Sequence, residues 1–254
     1  MQSTNTVSIF QLVLFMVQQT IQSKHSRTSP EEATAMQMAR AAGMPVPKVL
    51  SCGEHILSIL MTRLPGTPLE NSFDPLQVEL EQPWLFELKE CVTSMRTWSS
   101  PYTSNQDICS VLGTSLRSTR VPNHIMGSFT DEEEPHNYLL SPAHGYGFDS
   151  TAEYTQALTQ ATKIGKYPHR ITFTHGDFKA HNILPGDDGH LSGFLDWESA
   201  GWYPEYWDFT TAMRYGKNSW WYQVALWIGG DQYDGELACD IALNSLTVDS
   251  YVTF

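Results

Sequence analysis

Three kinds of hydrophobic patterning alternate along this chain. The first is amphipathic: Ser29-Pro30-Glu31-Glu32 sets a capping residue, a first-turn proline and two acids ahead of "ATAMQMARAAG", which predicts a helix closed by Gly43. The second is extended: "MPVPKVLSCGE" carries two prolines that forbid a helix, and "HILSILMTRL" then reads as a strand stopped by Pro65-Gly66. The third is a set of short, almost wholly apolar runs, "ITFT", "NIL" and "LSGFLDW", which predict buried strands. Between them, "QPWLFELKECVTSMRTW" and "DSTAEYTQALTQATKIG" have helical spacing, the latter capped at its start and ending at Gly165. The run Val7–Val17 fits one or two strands or a short helix equally well. A Pro, Ser and Asn-rich connector covers 99–106, and 108–144 has few periodic apolar positions, so it reads as loop-rich surface. The acidic run 131–134 inside it reads as a solvated face rather than a substrate clamp. A lobe boundary is expected near Leu64 to Pro68, and no internal repeat is visible.

At 254 residues the chain suffices for one large domain or for two lobes sharing a cleft. A formal charge of -13 repels phosphate backbones, so nucleic acid is not expected as a partner, and a neutral or cationic small substrate suits the field better. The longest apolar run is too short for a bilayer and is broken by Ser8 and Gln11; no Lys or Arg precedes it, so neither a membrane span nor a signal peptide is expected. The four cysteines form no C-x-x-C pair and no zinc spacing, which fits reduced thiols in a cytoplasmic protein. No pattern speaks to oligomeric state.

The chemistry concentrates in "FTHGDFKAHNIL" and "GFLDWE". Phosphoryl transfer needs a base near the attacking hydroxyl, oxygen ligands for magnesium and a cleft that excludes water. Asp177 and Asn182 share one short loop between two strands, which aims both into one cleft; Asp177 accepts or orients the hydroxyl proton, and Asn182 is a neutral oxygen ligand. Asp196, at the end of the next strand, is the main carboxylate ligand. His175 supports the loop by bonding backbone carbonyls, with Gly176 allowing a tight approach. Lys179 either reaches a transferred phosphate as a point charge or is a solvated loop lysine. Singly these residues are ordinary turn formers. Jointly, H-G-D-x-x-x-x-N-I-L followed after eleven residues by D-W-E is a long, constrained pattern. Metal-dependent hydrolysis is disfavoured because the histidines lack paired ligand spacing.

These segments resemble the aminoglycoside phosphotransferase and choline kinase-like family, a branch of the protein-kinase-like fold. "HGDFKAHNIL" is similar to its catalytic loop and "GFLDWESAGWYPEYWDF" to its metal-binding segment; "EEATAMQMARAAGMPVPKVL" is similar to the N-lobe helix with its exit strand, and "ILMTRLPGTPL" to the hinge strand over which adenine lies. The resemblance implies an α+β, two-lobed architecture: a small, incomplete β-rich N-lobe over residues 1–64 and a larger, mainly helical C-lobe over 65–254. It implies ATP and Mg2+ as cofactors and a small-molecule hydroxyl as acceptor. Asp177 becomes the catalytic base, Asn182 and Asp196 the magnesium ligands, Glu32 the helix acid, and Met61, Thr62 and Leu64 the adenine-side residues, with Lys179 near the phosphates.

One departure stands out. The family pairs the helix acid with a strand lysine and covers the nucleotide with a hairpin. Here no glycine precedes Gly43, Lys24 is the sole lysine ahead of Glu32, and "QQTIQSKHS" does not read as the apolar strand that should carry it. A truncated or divergent N-lobe is therefore expected, with a competent or weakened kinase as the main reading and a catalytically impaired pseudokinase, acting as a binding or regulatory module, as the alternative. "GYGFDS" lacks the third glycine of a dinucleotide loop, "GHLSG" is a hairpin turn, and the aromatic-rich tail from Trp197 to Trp227 is mostly core packing.

Overall fold

The computed structural model describes residues 21–24, 28–53, 58–70, 72–102, 107–166, 168–214 and 216–247. The run Val7–Val17 and the expected position of a nucleotide-covering hairpin lie outside these residues. The first described unit is a three-stranded antiparallel sheet of β1 (Ile21–Lys24), β2 (Val49–Gly53) and β3 (Ser58–Thr62), with β3 in the middle. Between β1 and β2 runs helix α1 (Pro30–Ala41). It starts as the sequence predicts, with the Ser29 hydroxyl accepting from the Glu32 backbone N–H, and it buries Ala33, Ala35, Met36 and Ala39 together with Glu32.

Strand β1 is not legible in "IQSK", because an edge strand needs few apolar residues when its partner supplies the ladder. β3 does so, in the register Ile21 with Thr62 through Lys24 with Ile59.

Down the chain follow α2 (Trp84–Met95), β4 (Cys109–Ser110), β5 (Leu116–Arg117), β6 (Ile125–Met126), α3 (Glu133–Leu140) and α4 (Thr151–Ala161). After them come β7 (Ile171–Thr174), β8 (Ile183–Pro185), β9 (Leu191–Phe194), β10 (Gly201–Pro204), α5 (Trp207–Met213), α6 (Trp220–Ile228) and α7 (Asp234–Leu246). Strand β10 sits between β4 and β7, β5 pairs with β6, and β8 with β9 form the hairpin that "GHLSG" suggested. Helix α4 stops at Ala161, and a separate 3-10 turn over Ile164–Lys166 carries the chain past Gly165.

The segment 108–144 is more ordered than its pattern suggests. It holds β4, β5, β6 and α3, and the acidic run opens α3: the Asp131 carboxylate accepts from the backbone N–H groups of Glu133 and Glu134, where a helix N-terminus favours negative charge. Buried Arg120 ties this segment to the C-terminal helices. Its guanidinium reaches Asp240 at 2.5 Å, the hydroxyls of Thr210 and Thr211, and the face of Trp207 at 3.8 Å. Trp197, Trp202, Trp207, Trp220 and Trp221 are buried, as core packing requires, and Phe173 stacks on Trp197 beneath the loop that follows β7.

Candidate functional site

Strand β7 is buried along its whole length and delivers the His175–Asn182 loop at its end. The turn demands glycine at 176: φ is +82°, and a Cβ there would lie 2.1 Å from the Ser199 carbonyl oxygen. Two backbone N–H groups exposed by this turn, those of His175 and Gly176, donate to the two carboxylate oxygens of Asp208 at 3.0 and 2.9 Å. Asp208 is fully enclosed on α5, and burial pushes its carboxyl up from its ordinary value, with the His175 side of the loop pulling the other way.

The His175 ring ties the two sequence motifs together. Its Nδ1 accepts from the Asp177 N–H at 3.3 Å, its Nε2 donates to the Leu195 carbonyl at 2.8 Å, and its plane stacks on Phe194 at 4.3 Å. The supporting role expected of His175 is therefore what the geometry shows. Asn182 donates from Nδ2 to the Asp177 carbonyl at 2.9 Å, and its own backbone carbonyl accepts from the Leu195 N–H at 2.8 Å. Asp177, Asn182 and the residue before Asp196 thus form one bonded cluster. Lys179 Nζ lies 2.6 Å from Asp177 Oδ1; burial lowers its pKa, while Asp177 and, more weakly, Asp196 act in the opposite direction.

Asp196 sits two residues past β9 in the left-handed conformation, φ 60°, which turns its carboxylate toward the N-terminal sheet. There it meets Lys24. The ammonium lies 2.9 Å from Glu32, 2.7 Å from Asp196 and 3.5 Å from Glu198, and Glu198 in turn lies 3.6 Å from Arg117. The expectation that the strand lysine is missing is therefore corrected: Lys24 on β1 makes the pair with Glu32 that the resemblance requires. The sequence concealed it because the strand is short, polar and recruited by β3. Burial alone would lower the Lys24 pKa, but Asp196 and Glu32 outweigh it and hold the ammonium above its usual range. Burial raises the Glu32 carboxyl despite Lys24, and the nearby charges of Asp196 and Glu198 add to the rise.

A cleft of about 570 Å³ opens beside this cluster, lined among others by Lys24, Glu32, Met61, Leu64, Leu184 and Asp196. Met61 and Leu64, expected on the adenine side, both line this cleft. Thr62 is not among the lining residues; its hydroxyl accepts from the Lys48 N–H at 2.9 Å and fastens β3 to the chain ahead of β2. Lys179 also stands outside this cleft. It lines a second cavity of about 300 Å³ with Leu69, Glu70, His181, Ala212 and Trp221. Sequence reasoning missed Lys24, Asp208, Glu198, Leu184 and Leu195. Leu184 and Leu195 were within reach, since each lies next to or two residues from a motif acid or amide; Asp208 depends on the packing of α5 and left no local signal.

The residues present fit a magnesium ion. Asn182 has committed its Nδ2, leaving Oδ1 as the side-chain atom for a cation, and the Asp196 side chain is 41% exposed. Among the described residues no group of three or more His, Cys, Asp or Glu could hold a metal by itself.

A helix-bearing antiparallel sheet joined to a larger, mainly helical body, with a cleft between Lys24–Glu32 and the two acid motifs, defines a two-lobed, protein-kinase-like phosphotransferase fold. The chain matches the model of the phosphotransferase enzyme family, APH, over residues 16–233, and it belongs to that family. Among solved structures it is similar to aminoglycoside phosphotransferase APH(4)-Ia, with a TM-score of 0.58 at 15% identity, covering 88% of this chain and 75% of that one. It is similar also to the macrolide 2'-phosphotransferase MphH from Brachybacterium faecium (TM-score 0.52, 16% identity, 85% and 68% covered). A choline/ethanolamine kinase family protein from Mesorhizobium loti gives a TM-score of 0.52 at 15% identity, with 89% and 73% covered. No curated protein matches the chain. No helix among the described residues is long and apolar enough to cross a membrane.

Proposed function

We propose that the protein transfers the γ-phosphoryl group of ATP to a hydroxyl of a small molecule. The observation that carries this reading is the convergence of Lys24, Glu32 and Asp196 at one wall of a cleft, with the loop of Asp177 and Asn182 bonded to the residue before Asp196, although neither Asp177 nor Asn182 is among the residues lining that cleft. APH(4)-Ia has been crystallised in ternary complexes with hygromycin B and ADP or AMP-PNP, which supports a nucleotide in the corresponding cleft here.

In this reading the base rests on Met61, Leu64 and Leu184, and Lys24, oriented by Glu32, bonds the phosphates. Asn182 Oδ1 and Asp196 would hold magnesium, which would neutralise phosphate charge when bound. Asp177 takes the acceptor's hydroxyl proton as the new O–P bond forms and the bond to the ADP oxygen breaks. The acceptor approaches from the second cavity, where Lys179 stands between Asp177 and the pocket and balances the charge of the group being moved. Lys24 paired with Glu32 answers one of the two grounds for the pseudokinase alternative; the other, the nucleotide-covering hairpin, falls outside the described residues.

A melting assay tests the first half of this reading. MgATP at one hundred times its dissociation constant adds about 2.7 kcal/mol, roughly 5–10 °C for a chain of this size. The rise should need magnesium and vanish in Asp196→Ala. No rise in the unsubstituted protein would overturn the proposal. A screen of hydroxyl-bearing metabolites for ADP release then identifies the acceptor, and Asp177→Asn should abolish that release while leaving the MgATP stabilisation.

A further inference from the structure

We infer that Arg117 is a positioning residue for the nucleotide site, acting through Glu198; the inference rests on the phosphotransferase reading and goes beyond it. Three carboxylates, Glu32, Asp196 and Glu198, lie within 2.9, 2.7 and 3.5 Å of the one Lys24 ammonium. A nucleotide requires a different distribution. Lys24 must face the phosphates while keeping Glu32, and Asp196 must be free to face a cation. Glu198 has neither task, and left alone it is a third anion competing for Lys24 at the place where a polyanion must bind.

Arg117 offsets that competition by offering Glu198 a second cation. It comes from β5, outside the two acid motifs, and its guanidinium lies 3.6 Å from the Glu198 carboxylate. Glu198 is 17% exposed and Arg117 23%, so water screens the pair only partly. In the structure Glu198 is shared, 3.5 Å from Lys24 and 3.6 Å from Arg117; with a nucleotide bound, Arg117 would keep Glu198, Lys24 would keep Glu32, and Asp196 would be released for the metal. The same segment also holds the N-terminal helix, since the Thr114 hydroxyl donates to Glu31 at 2.9 Å. The hairpin region that the sequence pattern gave no function thus sets the charge on which Lys24 depends.

The test compares the parent, Arg117→Ala and Arg117→Ala/Glu198→Gln by binding of AMP-PNP with magnesium, in calorimetry, on the full chain. Arg117→Ala should weaken binding about tenfold, because Glu198 then captures Lys24, and Arg117→Ala/Glu198→Gln should return to within about twofold of the starting affinity. A double variant as weak as Arg117→Ala would overturn the inference, since Arg117 would then act on the phosphates directly or on the fold. An unchanged Arg117→Ala would overturn it too. A second readout needs no nucleotide: the rate at which acetic anhydride labels Lys24, followed by peptide mass spectrometry. It should fall in Arg117→Ala and recover in the double variant, and equal rates in all three proteins would refute the inference. Should the unsubstituted protein bind no AMP-PNP, the phosphotransferase reading fails while the labelling experiment still decides the role of Arg117.

Discussion

Replacing Lys24 by Met isolates the interaction on which the site turns. The Glu32 side chain is 2% exposed and that of Lys24 26%, so the substitution strands a buried carboxylate with no other cation paired to it among the described residues. Removing one partner of a fully buried pair costs about 3–5 kcal/mol; with Lys24 a quarter exposed and the cleft open to water, about 2–3 kcal/mol is expected, or roughly 5–10 °C in melting temperature. Asp196 adds little because its side chain is 41% exposed.

The pH dependence gives the sharper signature. Burial already holds the Glu32 carboxyl above its ordinary value with Lys24 present, and without Lys24 it rises further. A carboxyl whose folded pKa exceeds its unfolded one is unfavourable at neutral pH, and that penalty disappears as pH falls through the folded value. The destabilisation should therefore shrink to under about 1 kcal/mol by pH 5, since each tenfold difference in proton affinity between the folded and unfolded chain corresponds to about 1.4 kcal/mol. Urea unfolding at pH 7 and pH 5 measures it, with Lys24→Met/Glu32→Gln expected to lose the pH dependence. A loss below about 0.5 kcal/mol at pH 7, or one that does not change with pH, would refute the pair.

Two further predictions follow from the geometry. Gly176→Ala should cost at least about 2 kcal/mol and most of the turnover, since it forces a Cβ against the Ser199 carbonyl at a positive φ; a melting temperature within about 1 °C of the parent would contradict this. His169 lies between Glu132 at 2.5 Å and Glu236 at 2.9 Å; burial lowers its pKa, but the two carboxylates prevail and raise it. A raised imidazole stabilises fully below its ordinary value near 6.5 and loses that contribution as pH climbs through the folded value, so His169→Gln should be less stable by about 1–2 kcal/mol at pH 6 and converge on the parent above that window. Parallel stability curves for the two proteins would rule this out.

The sequence revealed the parts of the site whose geometry is local. His175 to Asn182 and Asp196 lie on short links between buried strands, so their spacing already states that they converge. Helix α1 was legible to its cap because Ser29, Pro30 and Glu32 each act within one turn. Lys24 was not, since its strand exists only through pairing with β3, a full helix and a second strand further along, at the register of Ile21 with Thr62. Asp208 and Arg117 were hidden for the same reason: each acts across the fold on a residue with no sequence relation to it. For Thr62 the expectation concerned the hinge backbone, and the structure adds that its side chain bonds Lys48 instead of lining the cleft.

The left-handed turn at Asp196 separates what the residue does from how it is held. That backbone region accepts glycine more readily than aspartate, and asparagine at least as readily. A single change to asparagine would therefore remove the carboxylate charge that faces Lys24 without disturbing the bend that carries it.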